Sequence, residues 1–169
     1  FLMMSKFISK NFYISLLISV FIFTLDRISK IYVIYLNKKA YSSELFQSKY
    51  LNISLIWNEG IAFGLFSFEQ SDLYNFLTII ISIVILVIFI MIIKSFGLKR
   101  YALLMIFGGA IGNLYDRIFF KAVPDFIDFH IGTFHWFVFN IADIFITIGV
   151  IFMILIELIG NNRKSHEKI

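Results

Sequence analysis

Leu73 to Ile93 reads LYNFLTIIISIVILVIFIMII, 21 residues without a charge. At about 1.5 Å of rise per residue such a helix spans the roughly 30 Å hydrocarbon core of a bilayer. This many β-branched residues would argue for strands in water. An isolated apolar run in lipid must satisfy its own backbone, and a helix does so. Three more runs extend the pattern outward. Asn11 to Leu36 is uncharged as far as Leu25 and then carries Asp26, Arg27 and Lys30. Tyr101 to Phe120 is free of charge until Asp116 and Arg117, and Trp136 to Ile156 is interrupted only by Asp143. The expected fold is therefore an all-α transmembrane one. It is a four-helix membrane bundle with spans near 11–36, 73–93, 101–120 and 136–156 in a single integral-membrane domain over 1–169.

Composition agrees, since 60% of the 169 residues are hydrophobic, 15% are charged and the mean hydropathy is +0.88. Four crossings of about 20 residues use half the chain, leaving too little for a large second domain. Asn11 to Leu25 has no small-residue cleavage signal, so the first span is expected to stay in the protein. Cysteine is absent, which excludes disulfides, thiol nucleophiles and cysteine metal sites. The net charge of +4 gives little support to nucleic-acid binding. What matters is where the cations fall: Lys6 and Lys10, then Lys94, Lys99 and Arg100, then Arg163, Lys164 and Lys168. An even number of spans puts all three groups on one side, and the positive-inside rule makes that side the cytoplasm. Both termini are then cytoplasmic, and Asn37 to Asp72 and Lys121 to His135 lie outside. Within the first outer loop, Tyr50 to Trp57 alternates polar and apolar residues, the pattern of a short strand or hairpin.

Several polar residues stand where lipid would penalise them. Asp26 and Lys30 share a helical face, either as an ion pair snorkelling to the surface or as part of a site. Gly108 and Gly112 form a small-residue face for close helix approach. Asn113, Asp116 and Arg117 follow at i, i+3 and i+4, and Asp116 is expected to pair with Arg117 in a structural role. Pro124 is the only proline and is expected to hold Asp125 on irregular backbone at the outer edge of the membrane. Asn140 and Asp143 share a face of the last span. With Asp143 expected about 10 Å along that helix and no cation near it in sequence, it is the strongest functional signal.

If Asp125 and Asp143 approach within about 3 to 5 Å, like-charge repulsion lets the pair hold one proton, as in aspartic proteases. The ionised member takes a proton from the attacking water; the neutral one donates to the carbonyl oxygen and later to the leaving amine. No metal or other cofactor is needed. Rival chemistries lack their residues. His130 and His135 are five apart without the H-E-x-x-H pattern of a zinc peptidase, G-x-S-x-G is absent, and adjacent Ser29 and Lys30 point apart. Glu157 reads as interfacial. The alternative is a small proton-coupled membrane transporter with Asp26, Asp116 and Asp143 as a relay, but a relay needs carboxylates through the whole depth of the membrane. A non-catalytic assembly factor using the glycine face would leave the two aspartates without a purpose.

The segments DRISK (26–30), NEGIAF (58–63), GGAIGNLYDR (108–117), VPDFID (123–128) and FNIAD (139–143) together resemble, in order and spacing, the bacterial lipoprotein signal peptidases, or signal peptidase II. The resemblance implies an endopeptidase of the bacterial cytoplasmic (inner) membrane with its active site near the extracytoplasmic face and a small outer sheet lying along the membrane. It implies a catalytic dyad at Asp125 and Asp143 with Asp116 in support, and a substrate site shaped by Asp26, Lys30, Asn58, Gly60, Asn113, Arg117 and Asn140. Asn58, Gly60 and Phe63 are expected to read the lipid-bearing region. The implied partners are prolipoproteins, cut just before a cysteine that carries diacylglycerol, together with membrane lipid and globomycin-type inhibitors.

Overall fold

A computed structural model describes residues 2–40, 44–60 and 71–166, with side-chain surroundings for 12–40, 44–60 and 74–160. In chain order these form α1 (Leu2–Ala40), β1 (Glu44–Gln47), β2 (Leu51–Asn58), α2 (Ser71–Lys94), α3 (Gly97–Phe120), β3 (Val123–Ile131), β4 (Phe134–Phe139) and α4 (Ile141–His166). Among the described residues four helical segments are long and apolar enough to cross a membrane: Phe12–Ala40, Tyr74–Lys94, Gly97–Phe120 and Ile141–Gly160. Large apolar side chains such as Leu17, Phe76, Ile83 and Ile159 stand exposed along them. In water such a surface would aggregate; in lipid it is the solvated surface.

Helix α3 packs against α1, α2 and α4. Lipid tails are as apolar as the helices, so association depends on close fit instead of expulsion of water. The glycines provide that fit. A Cβ on Gly109 would lie 2.5 Å from the Ala142 carbonyl oxygen of α4, and one on Gly112 would lie 2.7 Å from an Asp26 carboxylate oxygen of α1. Gly149 repeats the device from the α4 side, where a Cβ would meet the Ala102 carbonyl at 2.7 Å. The small-residue face read at Gly108 and Gly112 thus serves α1, and Gly109 with Gly149 brings in α4.

Lys121 ends α3 in the left-handed conformation, φ 59°, and turns the chain back into β3. The four strands form an antiparallel sheet in the order β1-β2-β3-β4. Val33 of α1, Leu55 of β2 and Phe126 of β3 form a buried apolar cluster that fastens the sheet to the bundle.

Three expectations about local structure need correction. The stretch around Pro124 is not irregular: it opens β3, with Pro124 opposite Trp57 of β2. Strand β4 pairs with β3 only from Ile127 onward, so Pro124 stands near the start of the strand and with one edge unpaired by β4, a place where proline is tolerated. The last helix begins at Ile141, not Trp136, because Phe134–Phe139 is β4. FHWFVF, apolar at every position but His135, suits either a strand or a span, and the turn at Gly132, φ 60°, sends it back along β3. Asp143 accordingly lies in the first turn of α4 instead of about 10 Å along it. Helix α1 itself runs from Leu2 to Ala40, and its stretch fit to cross a membrane, Phe12–Ala40, begins within a residue of the expected span.

Gly109→Ala should lower the melting temperature in detergent, because its new Cβ meets backbone that cannot yield; overpacking of this kind costs about 1–3 kcal/mol. Gly160→Ala, with nothing within 4 Å of the added Cβ, should leave it unchanged or slightly higher. Equal melting temperatures for the two variants would refute the close-fit account of the α3–α4 interface.

Candidate active site

Toward one end of the bundle the second half of α1, the end of α3, the start of α4 and strands β2 and β3 bring a set of buried polar groups together. Its base is an ionic cluster of two cations and two anions. Lys30 Nζ lies 3.0 Å from an Asp26 oxygen one turn earlier and donates to Asp116 at 2.7 Å and to Asn113 Oδ1 at 2.8 Å. Arg27 donates to both oxygens of Asp116, to Asp26 at 2.7 Å and to the Gly112 carbonyl at 3.2 Å. Asp26, Lys30 and Asp116 are almost fully buried. The pair Asp26–Lys30 is thus an interior one and does not snorkel.

The expected Asp116–Arg117 pair is not formed. Adjacent helical residues point about 100° apart, and Asp116 turns toward α1. Arg117 instead donates to the carbonyls of Gly60 at 3.2 Å and Asn113 at 3.3 Å. Its charge acts electrostatically on Asp143 and Asp125. The sequence pattern alone gives Arg27 no role, although its place inside an apolar run beside Asp26 signals the need for a buried partner.

Asp26 also reaches α4, whose first N–H groups have no partner within the helix. Its other oxygen accepts from the Ala142 N–H at 3.1 Å. Asn140 caps the same helix end: its Oδ1 accepts from the Asp143 N–H and the Asp143 carboxylate accepts from the Asn140 N–H, both at 3.1 Å. This is a reciprocal capping box with the acidic member three residues in.

Above this base stand Asp125 and Asp143. Asp125 on β3 accepts from Asn140 Nδ2 at 2.6 Å and from Asn58 Nδ2 at 2.9 Å. Asp143 accepts from Asn113 Nδ2 at 2.8 Å as well as from the Asn140 backbone. Each of the three amides has its orientation set by what its oxygen receives: Lys30 at Asn113, the Gly60 N–H at Asn58, and the Asp143 N–H at Asn140. Their NH₂ groups are left to face the carboxylates, and Asn140 bonds to both. Asp125 is 4% exposed, and burial together with the negative charge of Asp143 pushes its carboxyl up from 3.8 to about 6, against the opposing donations of Asn58 and Asn140. The placement lets Asp125 keep a proton to higher pH than an isolated carboxyl would.

An apolar cavity of about 540 Å³ opens beside Asp143, lined by Phe137, Phe139, Trp136, Ile144, Thr147 and His130 among others. Gly60 is buried and braces Asn58 and Arg117 through its backbone. Phe63 lies outside the described residues. Among the described residues, groups with metal-ligand chemistry come together at Asp128, His130 and His135, on the β3–β4 hairpin.

The fold and this site define a multi-pass membrane protein with two buried carboxylates bridged by Asn140 at one end of its helices, beside an apolar cavity. Comparison with known proteins names the class. A family model described as signal peptidase (SPase) II matches residues 18–159. The lipoprotein signal peptidase of Pelagibacter ubique (strain HTCC1062) is 51% identical over 165 residues, covering 98% of this chain and 99% of its own. That of Aquifex aeolicus (strain VF5) is 39% identical over 154 residues, with 90% of each chain covered. Two solved bacterial membrane enzymes superpose with TM-scores of 0.70 and 0.72 at 30% and 32% identity, over 89% and 85% of this chain and 90% and 92% of theirs. The chain belongs to the lipoprotein signal peptidase (signal peptidase II) family and is a peptidase. The transporter alternative is set aside by that membership.

Asp116→Ala should destabilise the protein strongly, because it leaves Lys30 and Arg27 facing Asp26 alone; breaking a buried ionic set costs about 3–5 kcal/mol. Thermal unfolding in detergent, followed beside peptide cleavage, checks this. A variant as stable as the parent but inactive would move Asp116 from support to chemistry.

Proposed function

We propose that Asp125 and Asp143 are the catalytic pair of an aspartyl endopeptidase that removes signal peptides from prolipoproteins, cutting just before the cysteine that carries diacylglycerol. The observation that carries this reading is the sharing of Asn140 by two carboxylates, one of them shifted to about 6. Asp143 takes a proton from a water molecule whose oxygen attacks the scissile carbonyl. Protonated Asp125 donates a hydrogen bond to the carbonyl oxygen as it becomes tetrahedral. On collapse the C–N bond breaks and the proton that Asp143 took from water goes to the leaving amine, which leaves Asp125 protonated and Asp143 ionised as at the start. Asn58, Asn113 and Asn140 hold both carboxylates in register, and Arg117 balances their charge. Positioning of this kind matters because a misplacement of about 1 Å can cost roughly 100-fold.

The cation-bearing α2–α3 turn, with Lys94, Lys99 and Arg100, lies at the opposite end of the bundle from the pair. By the positive-inside rule this supports cytoplasmic termini and a site at the extracytoplasmic face. Substrate then enters sideways from lipid. The apolar cavity suits acyl chains or the apolar signal helix, and a globomycin-type cyclic peptide would compete for the same place. Burial of lipid, about 0.8 kcal/mol per methylene, chiefly retains the substrate. What accelerates cleavage is the register it gives the scissile bond.

Asp143→Asn and Asp125→Asn should each lower cleavage by at least the 10²- to 10⁴-fold typical of general acid–base catalysis. Turnover within tenfold of the parent would remove that residue from the pair. The pH dependence has a definite sign. Because Asp125 must hold the proton, kcat/KM should fall as pH rises through about 6. Asn58→Ala removes a donor that favours the charged form and should move that fall to higher pH. Stability follows the same linkage. A carboxyl raised above its unfolded value of 3.8 makes the folded state bind more protons between there and about 6, so stability drops as pH rises across that window. Asp125→Asn should therefore melt at or above the parent temperature at pH 8. A lower melting temperature would contradict the costly burial of this carboxylate.

Matched precursors with and without the diacylglyceryl group, held in micelles at equal surface concentration, should differ in cleavage rate by an order of magnitude or more. Equal rates would overturn specificity through the lipid and favour a general intramembrane aspartyl protease.

A further inference from the structure

The β3–β4 hairpin carries three metal-ligand groups that the peptidase chemistry leaves unused. Asp128 and His130 are two apart on β3, and His130 faces His135 of β4 across the sheet. A one-residue slip in the ladder between Asp128 and His130 brings His135 within reach of both. The two imidazoles stack at 5.0 Å, 19° from parallel, and His135 Nδ1 lies 2.8 and 3.1 Å from the Asp128 oxygens. Asp128 is buried, and His130 Nδ1 is shut off from solvent with no hydrogen-bond partner. A buried polar nitrogen left in that state costs about 1–3 kcal/mol, and its lone pair is free to coordinate. One ligand atom from each of the three residues lies within 4.8 Å of the other two.

We propose that Asp128, His130 and His135 form a divalent transition-metal site matched to Zn²⁺. Two imidazole nitrogens and one carboxylate oxygen are a donor set for zinc, and one carboxylate is far short of the six or more oxygens that calcium takes. In tetrahedral zinc with bonds of about 2.0–2.2 Å, neighbouring ligand atoms stand some 3.3 Å apart. The Asp128–His135 contact has only to open slightly and His130 to close toward them, and the exposed His135 ring is free to make that adjustment. A fourth position stays open to water. The ion would clamp β3 to β4, the hairpin that walls the cavity beside Asp143, and would do so without entering the cleavage chemistry.

This chain has three histidines and no cysteine, so without an affinity tag it has little competing background. In detergent at neutral pH, calorimetric titration with Zn²⁺ should show one equivalent bound per chain, and Co²⁺ should give the visible absorption of a tetrahedral site. His135→Ala and His130→Ala should each weaken binding at least as much as the 10- to 100-fold that loss of a mere outer-shell partner costs. His135→Ala should also lose the rise in melting temperature that Zn²⁺ confers on the parent. Two results would overturn the site: no saturable uptake by the parent, or parent-like affinity in His135→Ala. Binding lost in Asp143→Asn but kept in His135→Ala would place the ion at the carboxylate pair and overturn it equally.

Discussion

The carboxylate of Asp116, held between Arg27 and Lys30, is the interaction on which the rest of the site depends. It joins α1 to α3 by charge-assisted bonds in a medium where nothing else polar competes for them. By engaging Lys30 it also fixes what that ammonium does next: Lys30 donates to Asn113 Oδ1, and Asn113 then has only its NH₂ to offer Asp143. Asp26, balanced by the same two cations, is left an oxygen for the first turn of α4. A cluster with no net charge therefore orients an amide, caps a helix and sets the approach of three helices. A buried ionic set is poor evidence of net stability, but it is strong at selecting one arrangement, since every alternative leaves a charge uncompensated in a dry interior.

Lipid as solvent explains why small residues and charges occur side by side along α3. Helix packing gains no hydrophobic driving force there, so Gly109 and Gly112 must bring backbones into contact. At Gly112 the atom that fills the space left by the missing side chain is an Asp26 oxygen, so close approach and charge pairing are one feature. A larger side chain at that position would displace the carboxylate as well as the helix.

Much of this was legible in the sequence because membrane spans are written in length and charge. Leu73 to Ile93 admits no other reading, and the alternation through Tyr50 to Trp57 foretold β2. Strand β4 was not legible: Phe134 to Phe139 is apolar at every position but His135, so a strand with one face toward lipid carries the same hydropathy as the start of a helix. That ambiguity misplaced the beginning of α4 and with it the depth of Asp143. Partner choice was hidden for another reason. Asp116 has Arg117 beside it in sequence, yet ion pairs inside a bundle form across helices, and Arg27 lies 89 residues away. Spacing along one helix says which face a charge occupies, not which neighbour it meets.

The two carboxylates of the pair come from different layers, Asp125 from the sheet and Asp143 from the bundle. Their separation is consequently not a property of either element. It depends on how firmly the sheet is seated, which falls to Val33, Leu55 and Phe126 at the junction and to Asn140, whose side chain holds Asp125 while its backbone holds Asp143. The apolar cluster is therefore coupled to the spacing of the two carboxylates without touching either: loosening it lets β3 drift relative to α4, with Asn140 left to hold the gap alone.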